Sequence, residues 1–361
     1  MKLTPNIQCS KSSMRKRQNL RTVILWAAMA VLIAATATAQ TGTTIGADEN
    51  SGRTGVFGGI LSVPPSARAA AMGNTFVAMK DDPTTIFSNP AALSTQTKRD
   101  SIAPGSLISF GWTKLALDMN QGYVAYSQPA PAALGANSWI GVGIVYNDYG
   151  SFQGADNLGQ KTNSFSAGDV ALSLAYSSII PDQPVRYGVA VKYISSTLVS
   201  GSYSASGIAA DLGLFYESKP LLLTIGASAL NIGKQLSSYS GVTESLPFNL
   251  QVGVSKKLER LPLVIHLEFR NLSRDREGRN LWYALNDFSI GGEFTMSKVF
   301  RLRFGYENQK RRDLDTPEGL GLGGFSFGLG MVFQKLHFDY ALSIMGPVAP
   351  DIHRLGAAYL F

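Results

Sequence analysis

The residues best suited to acid–base chemistry lie on segments where polar and apolar residues alternate. His266, Glu268 and Arg270 occupy every second position of one segment, and His337 and Asp339 do so in another. Because successive side chains of a strand point to opposite faces, each set shares one face. Such groups could transfer protons or hold one another's charges. A hydrolase would also need a Ser–His pair oriented by a third group, and no spacing in this sequence indicates one.

We therefore interpret these residues as a network of mutually satisfied charges inside a narrow, wet interior. The predicted network comprises His266, Glu268, Arg270, Arg301, Arg303, His337 and Asp339. No catalytic residue, cofactor or metal site is predicted. The one cysteine, Cys9, lies in the N-terminal segment discussed next, so thiolate chemistry is not expected in the mature chain. The glycine-rich stretch GLGLGGFSFGLG lacks the Lys-Ser/Thr of a phosphate-binding loop and reads as a strand.

The first 39 residues have the pattern of a cleaved secretory signal. Six basic residues and no acidic residue occur in the first 21 positions, an apolar run follows from Val23 to Ala35, and Ala37-Thr38-Ala39 supplies a cleavage site. Without these six, 26 basic and 25 acidic residues nearly balance, so no nucleic-acid partner is expected. Later segments contain no apolar run long enough for a membrane helix, which needs about 20 residues.

The rest of the chain reads as strands long enough to cross a membrane. In VFRLRFGYENQ, apolar and aromatic residues alternate with charged residues and glycine, and GGFSFGLGMVF repeats the pattern. Most segments have the length of a tilted membrane strand, about 9–11 residues. We predict an all-β fold, an antiparallel transmembrane barrel of about fourteen strands, of outer-membrane type. The predicted strands are 105–113, 120–128, 138–148, 168–179, 185–199, 205–217, 221–232, 246–257, 262–272, 286–297, 299–309, 323–334, 335–344 and 352–361.

The connections alternate between short and long, as in bacterial outer-membrane barrels. Long connections are predicted near 149–167, 233–245, 273–285 and 310–322. The predicted organisation is a signal peptide at 1–39, a leader or hatch segment at 40–104 that packs into or beneath the barrel, and the barrel itself at 105–361. The final strand, HRLGAAYLF, places Tyr359 and Phe361 on one face and resembles the C-terminal assembly signal of such barrels.

Several stretches together resemble the PorV/PorQ family of FadL-like barrels in the type IX secretion system of Bacteroidota, and its PorQ branch most closely. The wider group shares the SNPAAL stretch, which contains Ser88, Asn89, Pro90 and Ala91. The other matching stretches are VPPSARAAAMG, DDPTTIF, LPFNLQVGVSKKLERLPL, FRLRFGYENQKRRDL and GGFSFGLG. The resemblance implies a Gram-negative outer-membrane protein that catalyses nothing.

The resemblance also implies partners. These are outer-membrane lipid and lipopolysaccharide, a PorZ-like surface subunit, and further subunits of the attachment complex, the sortase and PorV. The barrel would anchor the surface subunit so that cargo with a sorting domain is processed and attached to the cell surface. The candidate contact residues, on outer loops, are Arg274, Arg276, Arg279, Arg311 and Arg312. Two alternatives remain open: a FadL-like transporter of hydrophobic small molecules, and a PorV-like cargo shuttle.

Overall fold

The structure, a computed structural model, describes residues 55–96, 105–116, 118–135, 137–155, 158–198, 203–239, 241–273, 285–314 and 321–361. Fourteen antiparallel strands form a closed barrel, as the sequence predicts. They are β1 (Leu107–Lys114), β2 (Asn120–Pro129), β3 (Ser138–Ala155), β4 (Lys161–Ile179), β5 (Val185–Leu198), β6 (Tyr203–Ser218), β7 (Leu223–Ser237), β8 (Asn249–Lys257), β9 (Leu263–Phe269), β10 (Phe288–Thr295), β11 (Phe300–Glu307), β12 (Phe325–Phe333), β13 (Leu336–Ser343) and β14 (Ile352–Leu360).

The barrel closes where β14 pairs with β1, in a register that sets Leu360 opposite Leu107. Each strand alternates between a lipid-type face and an interior face. On β12, Phe327 and Leu329 are about half exposed on the outside, whereas Ser326 is 2% exposed inside. Closure leaves no unpaired sheet edge around the ring, and the outer apolar face suits a bilayer. This alternation is visible in the sequence, and it allows the fold class to be predicted.

The strands β3 and β4 are longer than predicted, and both extend beyond their neighbouring strands in the barrel wall. The predicted long connection 149–167 is wrong, because β3 continues to Ala155 and β4 begins at Lys161. This extension has no strand beside it: β2 ends opposite Asp148, and β5 ends opposite Ala167. The rings of Phe152 and Phe165 stack across it with centroids 5.5 Å apart. We call residues 149–166 the projecting hairpin.

Two other predicted loops are partly regular. The strand β7 continues to Ser237, so the connection predicted from residue 233 begins later. The predicted loop 310–322 contains the end of a short helix, Asn308–Asp313, which follows β11 directly. Its last turn carries Lys310, Arg311 and Arg312, and cations there suit the negative end of a helix. Further 3₁₀ turns lie at Ala132–Leu134 and Gly346–Val348.

Residues 55–96 lie inside the barrel, and we call them the plug. The plug contains the helices α1 (Gly58–Ser62) and α2 (Ala67–Ala70) and two 3₁₀ helices, Pro83–Phe87 and Pro90–Thr95. The second 3₁₀ helix packs against β3 to β6, and α2 packs against β12 to β14. With the helix at Asn308–Asp313 numbered α3, the described residues contain three short α-helices. Among the described residues, no helix is both long and apolar enough to cross a bilayer.

Candidate functional site

The SNPAAL stretch fastens one side of the plug to the barrel wall through Asn89. The Asn89 side chain is fully buried and caps the second 3₁₀ helix by accepting a hydrogen bond from the Ala91 N–H at 3.1 Å. Its amide nitrogen donates to the carbonyl oxygens of Val77, at 2.8 Å, and Leu214, at 3.1 Å. One side chain therefore joins the plug's own chain to strand β6. Pro90 follows at the helix start, where its missing N–H has no cost.

The barrel wall is shaped to receive this part of the plug. A Cβ atom on Gly213 would lie 2.2 Å from Asn89 Oδ1, and one on Gly226 would lie 2.0 Å from the Val77 carbonyl oxygen. Neither distance is compatible with a side chain, so the plug backbone lies directly against the strands at these positions. Ser228 and Gln251 add hydrogen bonds to the Ser88 carbonyl oxygen at 2.7 and 2.9 Å.

The VPPSARAAAMG stretch fastens the opposite side of the plug. Ser66 caps α2, and the chain turns at Gly73 with a φ of 65°, which favours glycine. The Gly73 N–H donates to Ser326 Oγ on β12 at 3.0 Å. A Cβ atom on Gly305 of β11 would lie 2.0 Å from the Gly73 nitrogen. The plug is thus held by close backbone contact on two sides of the ring.

One of the predicted network residues, Glu268, binds the middle of the plug, and another, Arg270, pairs with it. Glu268 is 2% exposed and accepts hydrogen bonds from the N–H groups of Phe76 and Val77 at 2.6 and 2.8 Å. Arg270 donates to Glu268 at 2.7 Å, and its guanidinium lies 3.9 Å from Glu307. Glu307 in turn accepts a hydrogen bond from the Asn74 amide at 3.0 Å. Carboxylates that accept backbone N–H groups hold an otherwise irregular chain in place.

A second charged cluster lies nearer the short-turn end of the barrel. Arg303 donates to Glu293 at 2.8 Å and to Asp339 at 2.6 Å, and its side chain is 1% exposed. Arg68 from the plug reaches the same Glu293, at 3.2 Å, and also Asp82, at 3.4 Å. Burial disfavours the charge on Arg68, but the Glu293 and Asp82 carboxylates outweigh it and raise the pKa of this guanidinium above its ordinary value. Arg301 lies 4.0 Å from Glu293.

The structure therefore divides the seven predicted network residues into two groups. Glu268 contacts the middle of the plug and Arg270 pairs with Glu268, whereas the other five line a cavity of about 670 Å³, which we call the vestibule. These five are His266, Arg301, Arg303, His337 and Asp339. No group of three or more potential metal ligands occurs in the described part of the chain.

Two network residues of the plug itself, Arg68 and Asp82, were not predicted from the sequence. The available signal was the lone arginine in the alanine-rich ARAAAM stretch, because a buried cation requires a partner. Nothing in the spacing identified Glu293 as that partner, since 225 residues separate the two along the chain.

A Ser–His pair that the sequence did not indicate also lies in the vestibule wall. Ser255 and His266 are opposite each other on β8 and β9, with Oγ and Nδ1 2.6 Å apart. Ser255 Oγ also lies 3.3 Å from the Ala78 carbonyl oxygen of the plug, which accepts a second hydrogen bond from Thr224 at 2.8 Å. These contacts hold the plug backbone at Ala78 against β7 and β8.

The predicted partner-binding arginines lie at the opposite rim or outside the described residues. Arg312 donates to Asp287 at the start of β10, so part of its charge is used within the rim. Arg311 lies on α3 beside Gly324. The other three, Arg274, Arg276 and Arg279, lie outside the described residues. At the far end of the chain, Tyr359 and Phe361 contact each other edge to face with centroids 4.9 Å apart.

Comparison with solved structures shows the fold. The chain is similar to the deltaS2 mutant of the monoaromatic hydrocarbon channel TodX, at 16% identity over 82% of this chain and 98% of that one, with a TM-score of 0.52. A FadL homologue of Pseudomonas aeruginosa matches over the same shares at 11% identity and a TM-score of 0.48. No family model matches the chain, and no curated protein matches it. The fold is that of an outer-membrane-type barrel.

Proposed function

We propose that this protein is a non-catalytic membrane anchor of the type IX secretion attachment complex, a PorQ-like member of the PorV/PorQ family. It would hold a PorZ-like surface subunit so that cargo with a sorting domain is processed and attached to the cell surface. The observation that carries the proposal is the seated plug. A plug in backbone contact with the wall at Gly213, Gly226 and Gly305 suits a rigid scaffold better than a passage that opens for each substrate.

The stretches that carry the resemblance support the proposal by meeting one another in space. The plug supplies VPPSARAAAMG and SNPAAL, and the wall supplies Gly305 and Ser326 from FRLRFGYENQKRRDL and GGFSFGLG. Gly73 of the first stretch contacts both wall residues. The shared residues therefore fasten the plug to the wall.

The proposed location is the outer membrane of a Gram-negative bacterium, reached with a cleaved signal peptide. Barrels of this type have short turns toward the periplasm and longer connections outside. On that rule the short turns, such as the one at Lys219–Leu222, face the periplasm, and the projecting hairpin and α3 face the outside. Outer-membrane lipid and lipopolysaccharide would surround the apolar face.

A gene deletion tests the proposal. We expect cargo with a sorting domain to cross the outer membrane and then appear soluble in the medium, with its attachment lost. Cargo stranded in the periplasm would instead support the PorV-like shuttle or an essential translocation part. Normal cargo attachment would reject the proposal.

The outer arginines give a finer test of partner binding. We expect their replacement by serine to abolish co-purification of the surface subunit while the barrel still assembles. The five positions are Arg274, Arg276, Arg279, Arg311 and Arg312. Arg312→Ser alone is the informative control, because it breaks the ion pair with Asp287 and reports on rim stability. If the surface subunit still co-purifies in full when all five arginines are replaced, these loops are not its binding site.

A FadL-like transporter is the second candidate, and the shared barrel fold with the TodX channel favours it. The interior argues against it, because two ion-paired clusters lie where the plug meets the wall. A transporter predicts slower uptake of hydrophobic compounds in the deletion strain, with cargo attachment unchanged.

A further inference from the structure

The vestibule is a cavity open toward the short-turn end of the barrel, below the plug. Its outer part is lined by strand ends and turns, including Leu107, Lys219 and Lys257. Its floor is made by the plug, from residues 78–83 and Gln96. A volume of about 670 Å³ falls within the range of about 300–1,000 Å³ that is usual for pockets holding organic ligands. It is far larger than one inorganic anion requires.

The charges of the vestibule are balanced at the floor and unbalanced at the mouth. At the floor, the cations Arg68, Arg301 and Arg303 face the carboxylates of Glu293, Asp82 and Asp339. At the mouth, Lys80 pairs with Glu217 at 2.9 Å, and Arg186, which does not line the vestibule, shares the same carboxylate at 3.3 Å.

Two further cations extend this excess around the mouth. Within the described chain, no carboxylate lies within 4 Å of the Lys219 or Lys257 ammonium, and both residues are exposed. Asp81, which also lines the vestibule, offsets one charge. Among the residues that line the mouth, the lysines Lys80, Lys219 and Lys257 outnumber the carboxylates of Asp81 and Glu217 by one, so the mouth keeps a net positive charge.

Two hydrogen-bonding groups without partners lie in the floor and wall of the vestibule. Gln96 is 1% exposed, and its amide nitrogen Nε2 has no hydrogen-bond partner, although its oxygen accepts from Ser127 at 2.5 Å. The ring nitrogen Nε2 of His337 is likewise buried without a partner. Buried polar groups of this kind usually have partners, so each points to an acceptor or a water that the protein itself does not supply.

We propose that the vestibule binds an acidic peptide segment of a periplasmic protein. The acidic side chains would pair with the lysines at the mouth, and main-chain carbonyl groups would accept from Gln96. Met79, Leu222 and Val264, which also line the cavity, would contact the apolar parts of the segment. A chain, in preference to a single anion, fits the volume and the wide spacing of the cations. The periplasmic source rests on the proposed orientation of the barrel.

The test is a binding assay on the full-length mature protein purified in detergent. Fluorescence anisotropy would follow a labelled tetraglutamate peptide, with tetraglutamine and inorganic phosphate as competitors. The test variant is Lys219→Gln with Lys257→Gln. The matched control is Arg260→Gln with Lys298→Gln, which removes the same charge from neighbouring short turns that do not line the vestibule.

We expect tetraglutamate to bind, with affinity lowered at least about tenfold in the test variant and little changed in the control. A second variant, Gln96→Leu, should weaken binding without changing the charge. If the test and control variants lose equal affinity, the binding depends only on the total charge at this end of the barrel, and the proposal is overturned. Full competition by phosphate at equal concentration, or no binding at all, would also overturn it. Because the assay needs no secretion, its failure is distinguishable from failure of the proposed anchoring function.

Discussion

The plug and the projecting hairpin represent opposite ways of using the same chain. In the plug, Asn89 and Thr85 are fully buried, and the wall glycines leave no space between plug and barrel. In the hairpin, the paired residues Phe152 and Phe165 hold two strands together with no neighbouring strand on either side. One region is specified by contacts with many strands, and the other, apart from Tyr149 at its base, by the contacts between its own two strands.

This difference separates residues that determine the fold from residues that remain available to partners. Contacts from the plug reach strands that are distant in sequence, so their loss should affect the whole barrel. Contacts in the hairpin are local, so their loss should affect the hairpin only. The following predictions test that separation, from the largest expected effect to the smallest.

The largest effect is expected when a side chain is added to a wall glycine that contacts the plug backbone. In Gly305→Leu, the new Cβ atom would lie 2.0 Å from the Gly73 nitrogen. Because Gly73 N is a backbone atom, it cannot move aside as the end of a flexible side chain can. We expect almost no folded barrel, measured as the recovery of heat-resistant protein in detergent. The control is Gly122→Leu, where the nearest atom to a Cβ is 3.8 Å away. Equal recovery of both variants would contradict a close-fitting plug.

The next effect is expected at the buried charges. Arg303→Met leaves Glu293 and Asp339 without their main cation, and removing one partner of a buried ion pair costs about 3–5 kcal/mol. Urea unfolding followed by tryptophan fluorescence would measure this loss. Lys114→Met removes the exposed pair with Asp118, which water screens, and should cost much less. Similar losses would show that burial of the first pair carries no energetic weight.

A smaller effect is expected within the SNPAAL stretch. Asn89→Ala removes a helix cap and two bonds to carbonyl groups, which should cost about 1–3 kcal/mol of unfolding free energy. Ser88→Ala in the same stretch removes only a 3.4 Å contact with the Thr85 carbonyl oxygen and should change stability little. The same unfolding assay compares them, and a larger loss for Ser88→Ala would reverse the assigned roles.

The smallest effect on the barrel is expected in the hairpin. Phe152→Ser with Phe165→Ser should leave the free energy of unfolding of the barrel within about 0.5 kcal/mol of the parent protein. Amide hydrogen exchange should rise only in the projecting hairpin. By contrast, Phe215→Ser opens a cavity beside Ala91 and Ala92 and should cost about 3–5 kcal/mol. A large global loss from the hairpin variant would contradict its independence.

The fold class was predictable because lipid and lumen impose a period of two on every wall strand. That signal fades above the membrane, where a strand has no apolar face to present. The projecting hairpin, with GSFQGA and KTNSFS, was therefore predicted as a loop. The shared inner faces of His266 with Glu268 and of His337 with Asp339 followed from the same alternation.

The partners of those residues could not be predicted, because they depend on which plug atom reaches which strand. Arg68 and Glu293 are one example. The contact between Glu268 and the Phe76 and Val77 N–H groups is another. Nearly every residue has a backbone N–H, so the sequence does not show which of them a carboxylate binds. The plug's position against the wall is equally hidden, although the glycines that permit it are visible.

The pairing of β14 with β1 also sets an order of events. The plug precedes β1 in the chain, and it fills the space around which the fourteen strands close. With Leu360 opposite Leu107, the contacts at Gly226 and Gly305 leave no space between the plug and the wall at these two positions. We therefore expect the plug to lie against the wall strands before β14 pairs with β1, so that closing the barrel is the last step of folding.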